Sequence, residues 1–328
     1  MSCKTPILFI IFKRPDLTQK VFDVIRQAQP KHLIVFADGP RDNKELYLCE
    51  QTRAIINNVD WDCEVIKKYS NVNLGCRENP LLGINWAFSK FEELIILEDD
   101  CLPHFDFFAF CDELLETYRY DERIMLISGS NLLRRSYNYS ASYIFSSYAS
   151  TWGWASWRRA WNYNDIQIKL LNEALSKNFL ENIFLSRRDR EKWERRLINI
   201  FNQDEKYLSA WDYQWLFSRW IQNGLGIVPS KNLISNIGFG SDSTHTKNIL
   251  SEYNNLCVHG LEFPIIHPKL MVREINYDKA VFQDGSFSII SLLRKSFSIL
   301  WRVGTGLLAG DGQNGFIQPT FRRLTGYF

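Results

Sequence analysis

Three consecutive carboxylates are the residues of this sequence best suited to chemistry. Glu98, Asp99 and Asp100 directly follow the apolar run Leu-Ile-Ile-Leu at residues 94–97, which is typical of a buried strand. Adjacent carboxylates repel one another, but carboxylate oxygens are good ligands for Mg²⁺ and Mn²⁺. The pattern therefore fits two interpretations, a divalent-cation site at a strand end or a solvated acidic turn.

Polar residues also follow two earlier apolar runs. Arg14 comes after residues 6–12, and Asp38 comes after residues 33–37. Ligands of open α/β sheets bind beyond the carboxyl ends of the strands, where all three polar groups would then meet. A guanidinium suits a phosphate or a base carbonyl, and a carboxylate can accept from a ribose hydroxyl or a base N–H. Asp38, which precedes Gly-Pro, is also compatible with a plain turn.

A lone carboxylate among aromatic residues is the candidate general base. Asp212 lies between Trp211 and Tyr213, at the start of a helical run that extends to Trp220. Burial among aromatic rings raises the pKa of a carboxyl group and suits it to accept a proton near neutral pH. Asp212 is also a typical N-cap residue, and the two roles are compatible.

A tryptophan-rich segment covers residues 150–161. Trp154, Trp157 and Trp161 have the spacing of one helix face, which predicts a helix that packs against the core. The alternative is that one indole, such as that of Trp154, lines a sugar site.

A Gly-, Ser- and Thr-rich loop at residues 235–246 contains His245. Borderline cations such as Mn²⁺ accept imidazole, so His245 could complete a metal shell that the acids begin. A histidine in a polar loop is equally compatible with an ordinary surface position.

Strands and helices alternate in the part of the chain that would position these groups. Strands are predicted at residues 6–12, 33–37, 63–67, 94–97 and 124–128. Helices are predicted at residues 17–27, 46–57, 81–91 and 105–118, and a loop at residues 71–80. This order predicts an α/β fold with a mostly parallel sheet flanked by helices. A charged, arginine-rich helical insertion is predicted at residues 165–203.

Composition places the chain among globular proteins large enough to be enzymes. Its 328 residues are 45% hydrophobic and 23% charged, and the formal net charge of +2 gives no polycation for nucleic acid. The seven cysteines form no C-x-x-C pair, so neither a zinc ribbon nor a disulfide framework is indicated. Since no stretch of about 18 apolar residues occurs, no spanning helix is expected, and a reducing cytoplasm fits best.

The C-terminal tail carries a separate pattern. Apolar residues recur with helical spacing among basic ones, with no acid between residues 286 and 309: Ile289, Leu292, Leu293, Arg294, Lys295, Phe297, Leu300 and Arg302. Basic amphipathic helices lie at anionic membrane surfaces. A helix packed on the catalytic domain or on a second subunit is the alternative.

Several of these motifs together resemble those of bacterial GT-A glycosyltransferases. The resemblance depends on Glu-Asp-Asp at residues 98–100, Asp38, Trp211-Asp212 and Gly-Phe-Gly-x-Asp-x-Thr-His-Thr at residues 238–246. It extends roughly over residues 6–246. The group is often labelled hemolytic-protein-like sugar transferases and is distantly similar to the N-acetylglucosaminyltransferase that starts complex N-glycans.

This resemblance implies a Rossmann-like GT-A fold and roles for individual residues. Asp212 matches the position of the inverting base, and Asp100 the position of the metal ligand, with His245 as a further ligand. Acceptor contacts are assigned to Trp154 and Trp211. Donor contacts are assigned to Arg14, Asp38, Arg77, Glu98, Asp99 and Asp100.

The implied activity is metal-dependent, inverting transfer from a nucleotide diphosphate sugar, with Mn²⁺ or Mg²⁺ as cofactor. A uridine donor is favoured, with a glycan or lipid-linked acceptor in surface polysaccharide or lipopolysaccharide synthesis. Residues 1–130 would bind the donor, residues 131–250 would carry the acceptor side and the base, and residues 251–328 would form an extension. The expected location is cytoplasmic, including the inner face of the plasma membrane.

Two other functions are weighed against this one. A sugar nucleotidyltransferase would need a glycine-rich phosphate loop after the first strand, and residues 12–15 read Phe-Lys-Arg-Pro. A non-catalytic carbohydrate-binding protein would explain the aromatic residues, but not the three charged strand ends.

Overall fold

The computed structural model describes residues 2–133, 139–204, 211–239 and 254–285. The chain divides into a first compact unit, Met1–Phe282, and a second, Gln283–Phe328. Of the second unit, only the backbone of residues 283–285 is described. The tail that was predicted to be a basic amphipathic helix, and residues 240–246 of the predicted loop with His245, therefore lie outside the described residues.

The first part of the chain alternates strands and helices as predicted. In chain order the elements are β1 (Ile7–Ile11), α1 (Pro15–Ala28), β2 (His32–Ala37), α2 (Asn43–Ile55), β3 (Glu64–Tyr69), α3 (Gly75–Phe88) and β4 (Glu93–Glu98). These strands pair in the order β3-β2-β1-β4, all parallel. The carboxyl ends of β2, β1 and β4 therefore meet at one edge.

The second part adds strands of both directions. Its elements are β5 (Cys101–Pro103), α4 (Asp106–Thr117), β6 (Ile124–Ser128), β7 (Tyr143–Ser146), β8 (Trp154–Trp157), α5 (Arg158–Trp161), α6 (Leu171–Ser176), α7 (Leu180–Ile183), α8 (Arg187–Phe201), α9 (Asp212–Ile221), β9 (Leu225–Pro229), β10 (Ile234–Asn236) and α10 (Ile275–Gly285). The eight-stranded sheet continues as β4-β8-β6-β9-β7, and β5 pairs with β10 in a small separate sheet. An α/β fold with a mixed sheet, in which parallel pairs predominate, is thus confirmed.

Both faces of the sheet are covered, which explains the continuous apolar runs of its strands. Phe9 on one face of β1 belongs to the same buried cluster as Phe22 of α1. Leu8 and Ile10 on the other face belong to a cluster with Ile84 of α3. No helix among the described residues combines the length and apolar composition needed to cross a membrane.

The helical prediction for the tryptophan-rich segment is wrong. Trp154–Trp157 form strand β8, and only Arg158–Trp161 are helical. Because β8 lies between β4 and β6 in the middle of the sheet, both of its faces are buried. Its tryptophans therefore alternate between two cores, as strand residues do. The interpretation of these residues as core packing is confirmed.

The loop prediction for residues 71–80 is wrong in its second half. Helix α3 begins at Gly75 and contains Pro80. Its first turn is stabilised from outside, because the Asp38 carboxylate accepts from the backbone N–H groups of Leu74 at 2.7 Å and Gly75 at 3.0 Å. This carboxylate occupies the place of a local N-cap, and the local sequence gives no sign of it.

The predicted helical insertion is present but divided. Helices α6, α7 and α8 take up part of residues 165–203, and they pack against α9. Trp193 of α8 lies 4.9 Å from Trp220 of α9 between ring centroids, with Phe184 stacked on Trp193 at 5.9 Å. This aromatic cluster holds α9, and with it Asp212, against the rest of the unit.

Candidate active site

The three acids lie at the junction of the two sheets. Glu98 is the last residue of β4, Asp99 and Asp100 form the turn, and Cys101 begins β5. Strand β4, before the turn, belongs to the large sheet, and strand β5, after the turn, pairs with β10, so the turn is held at both ends. The acids are therefore fixed at the carboxyl edge of the sheet.

Arg14 joins the end of β1 to these acids. One of its terminal nitrogens contacts Asp99 Oδ1 and also donates to Asp100 Oδ2 at 3.0 Å. The Phe12 N–H donates to Asp99 Oδ2 at 3.3 Å. This contact follows from the parallel register, in which Ile10 lies opposite Glu98. The structure thus brings two of the three predicted strand ends into direct contact.

The cluster has more acid than base. Burial, followed by repulsion from Asp100 and Asp99, raises the pKa of Glu98 to about 8, although Arg14 opposes the shift. Burial also raises the pKa of Asp99, against the effect of Arg14. Buried negative charge that one guanidinium does not balance favours the uptake of a proton or a cation.

Asp212 joins this cluster from the other half of the chain. It is the first residue of α9, so Trp211 and not Asp212 occupies the N-cap position. Its negative charge has the smallest of the effects that raise the pKa of Glu98, so the Asp212 carboxylate lies within electrostatic reach of the acidic turn. The predicted base therefore interacts electrostatically with one of the predicted donor-side acids.

Asp38 has a structural role that its sequence position does not reveal. Its carboxylate accepts from Gly39 N at 2.8 Å, Leu74 N at 2.7 Å, Gly75 N at 3.0 Å and Asn73 Nδ2 at 3.0 Å. A carboxylate has about four acceptor positions. All of them are engaged within the protein, so Asp38 fastens the loop after β3 to the end of β2.

Arg77 and Arg53 are two guanidinium groups beside this loop. Arg77, in the first turn of α3, lies 3.8 Å from Glu78, and its buried Nε has no hydrogen-bond partner among the described residues. Arg53 of α2 donates to the carbonyl oxygens of Asp38 at 2.9 Å and Ser70 at 2.7 Å. Sequence reasoning missed Arg53, because nothing near it in the chain indicates this contact.

Gly238 is a second residue whose role was missed. The Ile237 N–H donates to the Asp100 carbonyl at 2.9 Å, and a Cβ on Gly238 would overlap the Asp100 carboxylate. Only glycine lets this segment approach so closely. The segment enters residues 240–253 from beside Asp100, but His245 itself lies outside the described residues. The signal in the sequence was the Gly-Phe-Gly motif.

The two tryptophans assigned to the acceptor are buried. Trp154 is 1% exposed and Trp211 is 6% exposed. Their ring centroids lie 6.0 Å apart. Trp161 packs against both rings, and Trp215 packs against Trp154. This arrangement supports the interpretation of these tryptophans as core residues.

A cation would need ligands from its substrate here. Within the described ranges, no three His, Cys, Asp or Glu side chains are arranged to hold a metal ion. Magnesium sites commonly combine one or two carboxylates with substrate phosphates. The excess of acid at the turn, with Asp100 beside Asp99 and Glu98, fits a site of that kind.

Comparisons with solved structures give distant matches. No protein-family model and no curated protein sequence matches the chain. Staphylococcus aureus TarS matches with a TM-score of 0.33 and 12% identity over 49% of this chain, and the match spans about half (49%) of that structure. The 4-diphosphocytidyl-2C-methyl-D-erythritol synthase of Anaerococcus prevotii matches with a TM-score of 0.30 and 10% identity, over 66% of this chain and 99% of that one. Likeness at this level assigns no activity.

Proposed function

We propose that the chain is an inverting GT-A glycosyltransferase that uses a nucleotide diphosphate sugar. The observation that carries this proposal is the contact of Arg14 with Asp99 and Asp100 at the ligand-binding edge of the sheet, with the Asp212 carboxylate within electrostatic reach of Glu98. Glycosyl transfer from such a donor needs a cationic place for phosphate and a carboxylate for the acceptor proton. This site offers both.

The donor would bind on the side of β1 and α3. The Arg14 guanidinium, now shared by Asp99 and Asp100, could reach a phosphate or the ribose side of the nucleotide. Arg77, whose Nε has no partner among the described residues, is proposed as a further donor contact. Asp38 would act indirectly, by holding the loop that borders the nucleotide.

A divalent cation is proposed beside Asp100, with His245 as a further ligand from outside the described residues. When bound, it would neutralise charge on the nucleoside diphosphate leaving group. Glu98 and Asp99 would surround this position with negative charge. No third protein ligand is needed where substrate phosphates complete the shell.

Asp212 is proposed to accept the proton of the acceptor hydroxyl. The hydroxyl oxygen forms the new bond to the anomeric carbon as the bond from that carbon to the diphosphate oxygen breaks, and the electron pair leaves with the nucleoside diphosphate. One base without a protein nucleophile gives inversion, by analogy with inverting glycosidases. Trp211, next to Asp212 and 6% exposed, is proposed to border the acceptor, and the buried Trp154 would support Trp211 from the core without touching the acceptor.

The wider assignments are proposals as well. The acceptor is proposed to be a glycan or a lipid-linked sugar, used in surface polysaccharide synthesis at the inner face of a membrane. The division into residues 1–130, 131–250 and 251–328 remains a prediction.

The first test is a donor panel with UDP-, GDP-, dTDP- and CMP-sugars, with and without Mn²⁺. Slow donor hydrolysis that depends on Mn²⁺ and is lost in Asp100→Asn supports the proposal. Asp16→Asn, which changes an exposed acid of α1, is the matched control and should hydrolyse the donor like the wild type. Pyrophosphate release from a nucleoside triphosphate and a sugar 1-phosphate would instead identify a nucleotidyltransferase.

The second test concerns the base and the stereochemistry. Asp212→Asn should reduce transfer by about 10²–10⁴-fold and leave the affinity for nucleoside diphosphate nearly unchanged. Proton NMR of the product should show an anomeric configuration opposite to that of the donor. A retained configuration, or full activity in Asp212→Asn, would exclude the proposed mechanism.

A further inference from the structure

A cleft separate from the acidic turn opens between strand β3 and helix α3. It has a volume of about 450 Å³, within the roughly 300–1,000 Å³ of small-molecule sites. Its lining residues are Phe36, Lys68, Tyr69, Ser70, Leu74, Leu82, Asn85 and Trp86. Of these, Ser70 and Leu74 also belong to the loop after β3 that Arg53 and Asp38 hold. Neither the sequence motifs nor the proposed reaction accounts for this cleft.

The apolar wall of the cleft is aromatic and partly open. Phe36 and Trp86 lie 6.1 Å apart between ring centroids. Leu82, one helical turn before Trp86, is 45% exposed although it is a large apolar residue. Such a wall matches the apolar C–H face of a ring rather than a small ion alone.

The charge of the cleft is entirely positive. Lys68 Nζ lies 5.1 Å from the Trp86 ring centroid and 5.8 Å from that of Phe36. Lys90, which follows α3 and does not itself line the cleft, has its Nζ 5.7 Å from the centroid of the same Trp86 ring. Within the described ranges neither lysine forms an ion pair with a carboxylate, so both charges are available to a ligand.

The neutral polar group of the cleft adds a donor. Asn85 Oδ1 accepts from Trp161 Nε1 at 2.7 Å, which fixes the amide with its oxygen toward the protein. Because Asn85 is exposed and its oxygen is already engaged, its amide –NH₂ group can donate hydrogen bonds to a ligand. Cations, an amide donor and aromatic rings together recognise a ring-shaped molecule that is rich in acceptor oxygens and carries negative charge.

We propose that this cleft binds an acidic saccharide, with its carboxylate or phosphate on Lys68 and Lys90 and its ring face on Trp86. The choice of a saccharide rests on the proposed function, since an acidic glycan held here would keep the acceptor near the site. The geometry of the cleft itself does not depend on that function.

Calorimetric titration of the full chain with tetragalacturonate, without any donor, tests the proposal directly. The double variant Lys68→Glu/Lys90→Glu should bind at least about tenfold more weakly, because two charge-assisted contacts are lost. Leu82→Asp, at an exposed position, should also weaken binding several-fold. Thermal melting confirms that each variant is folded.

The matched control is Lys67→Glu/Lys20→Glu, which reverses two exposed lysines elsewhere. Lys67 is next to Lys68 but on the other face of the strand, where it donates to Asn57 at 2.8 Å. This control should bind tetragalacturonate like the wild type, and neutral cellotetraose should bind at least about tenfold more weakly than tetragalacturonate.

Equal binding by the cleft variant and its control would overturn the proposal, as would equal affinity for cellotetraose or the absence of any saturable heat. The same variants are also titrated with UDP. A UDP affinity that falls when Lys68 and Lys90 are replaced would assign the cleft to a nucleotide instead. If titration succeeds while the donor panel shows no donor hydrolysis, only the proposed glycosyltransferase activity is lost.

Discussion

The two halves of the large sheet differ in strand direction and in the residues that surround them. Strands β3, β2, β1 and β4 run parallel, and charged residues follow three of them at one edge. Strands β8, β6, β9 and β7 include antiparallel pairs, and tryptophans fill the core beside them. The first half places charged side chains at its edge. The second half packs against a cluster of tryptophans, here called the aromatic frame (Trp154, Trp161, Trp211 and Trp215), and this frame positions helix α9 with Asp212. A site of this kind needs both, because parallel strands alone do not bring a distant helix to their edge.

The aromatic frame should show the largest effect when it is broken. Trp215 is fully buried and lies 5.0 Å from Trp161 between ring centroids. Trp215→Ala should lower the free energy of unfolding by about 3–5 kcal/mol, because it leaves a cavity. Urea denaturation measures this loss. Tyr163→Ala, at a residue that is 48% exposed, should cost less than about 0.5 kcal/mol and is the control.

The second largest loss of stability is expected in the parallel half of the sheet (β3, β2, β1 and β4), when Asp38 is replaced. Asp38→Ala leaves four N–H donors without their acceptor, and an unsatisfied buried group costs about 1–3 kcal/mol. Hydrogen exchange should show faster opening at Leu74 and Gly75, where α3 begins. Unchanged protection there would contradict the role assigned to Asp38.

The acidic turn should give the parallel half an unusual dependence on pH. Because the pKa of Glu98 is raised to about 8 in the folded chain, from about 4.5, the folded state holds more protons between these values. The contribution of Glu98 to stability is therefore full below about pH 4.5 and is lost as pH rises through about 8. Glu98→Gln should remove this decline in melting temperature. Glu116→Gln, on an exposed side chain, should leave it in place.

Glu45 in the same half should behave in the opposite way, with a smaller effect. Hydrogen bonds from Arg41, and then from Lys13, lower its pKa to about 2. Its contribution to stability is present above about pH 4.5 and is lost as pH falls toward 2. Melting curves of Glu45→Gln between pH 2 and 5 should lack this acid-side loss. An identical profile in the variant would mean that these contacts do not stabilise the fold.

Sequence reasoning succeeded where a feature depends on neighbouring residues. The apolar runs of β1, β2 and β4, and the helical spacing of α1, are local patterns, and the structure places these elements within a few residues of their predicted bounds. The predictions failed where a residue far away in the chain determines the local secondary structure. Residues 154–157 form a strand because they pair with β4 on one side and β6 on the other. Helix α3 begins at Gly75 because the Asp38 carboxylate caps it.

The candidate site shows the same division. Residue types alone were enough to select Arg14, the acidic turn and Asp212, since few arrangements tolerate such charges beside apolar runs. They did not show that Asp38 is saturated by backbone donors, or that Gly238 makes room for the Asp100 carboxylate. Nor did they place Lys68 and Trp86 in one cleft.

The sequence by itself determined the order of strands and helices and the charges that follow three of the strands, because both depend on contacts between close neighbours in the chain. Only the tertiary structure decided which of those charges are already engaged and which elements bring Asp212 to Glu98. Those outcomes depend on register and packing between residues far apart in the chain, and side-chain spacing along the sequence does not encode them locally.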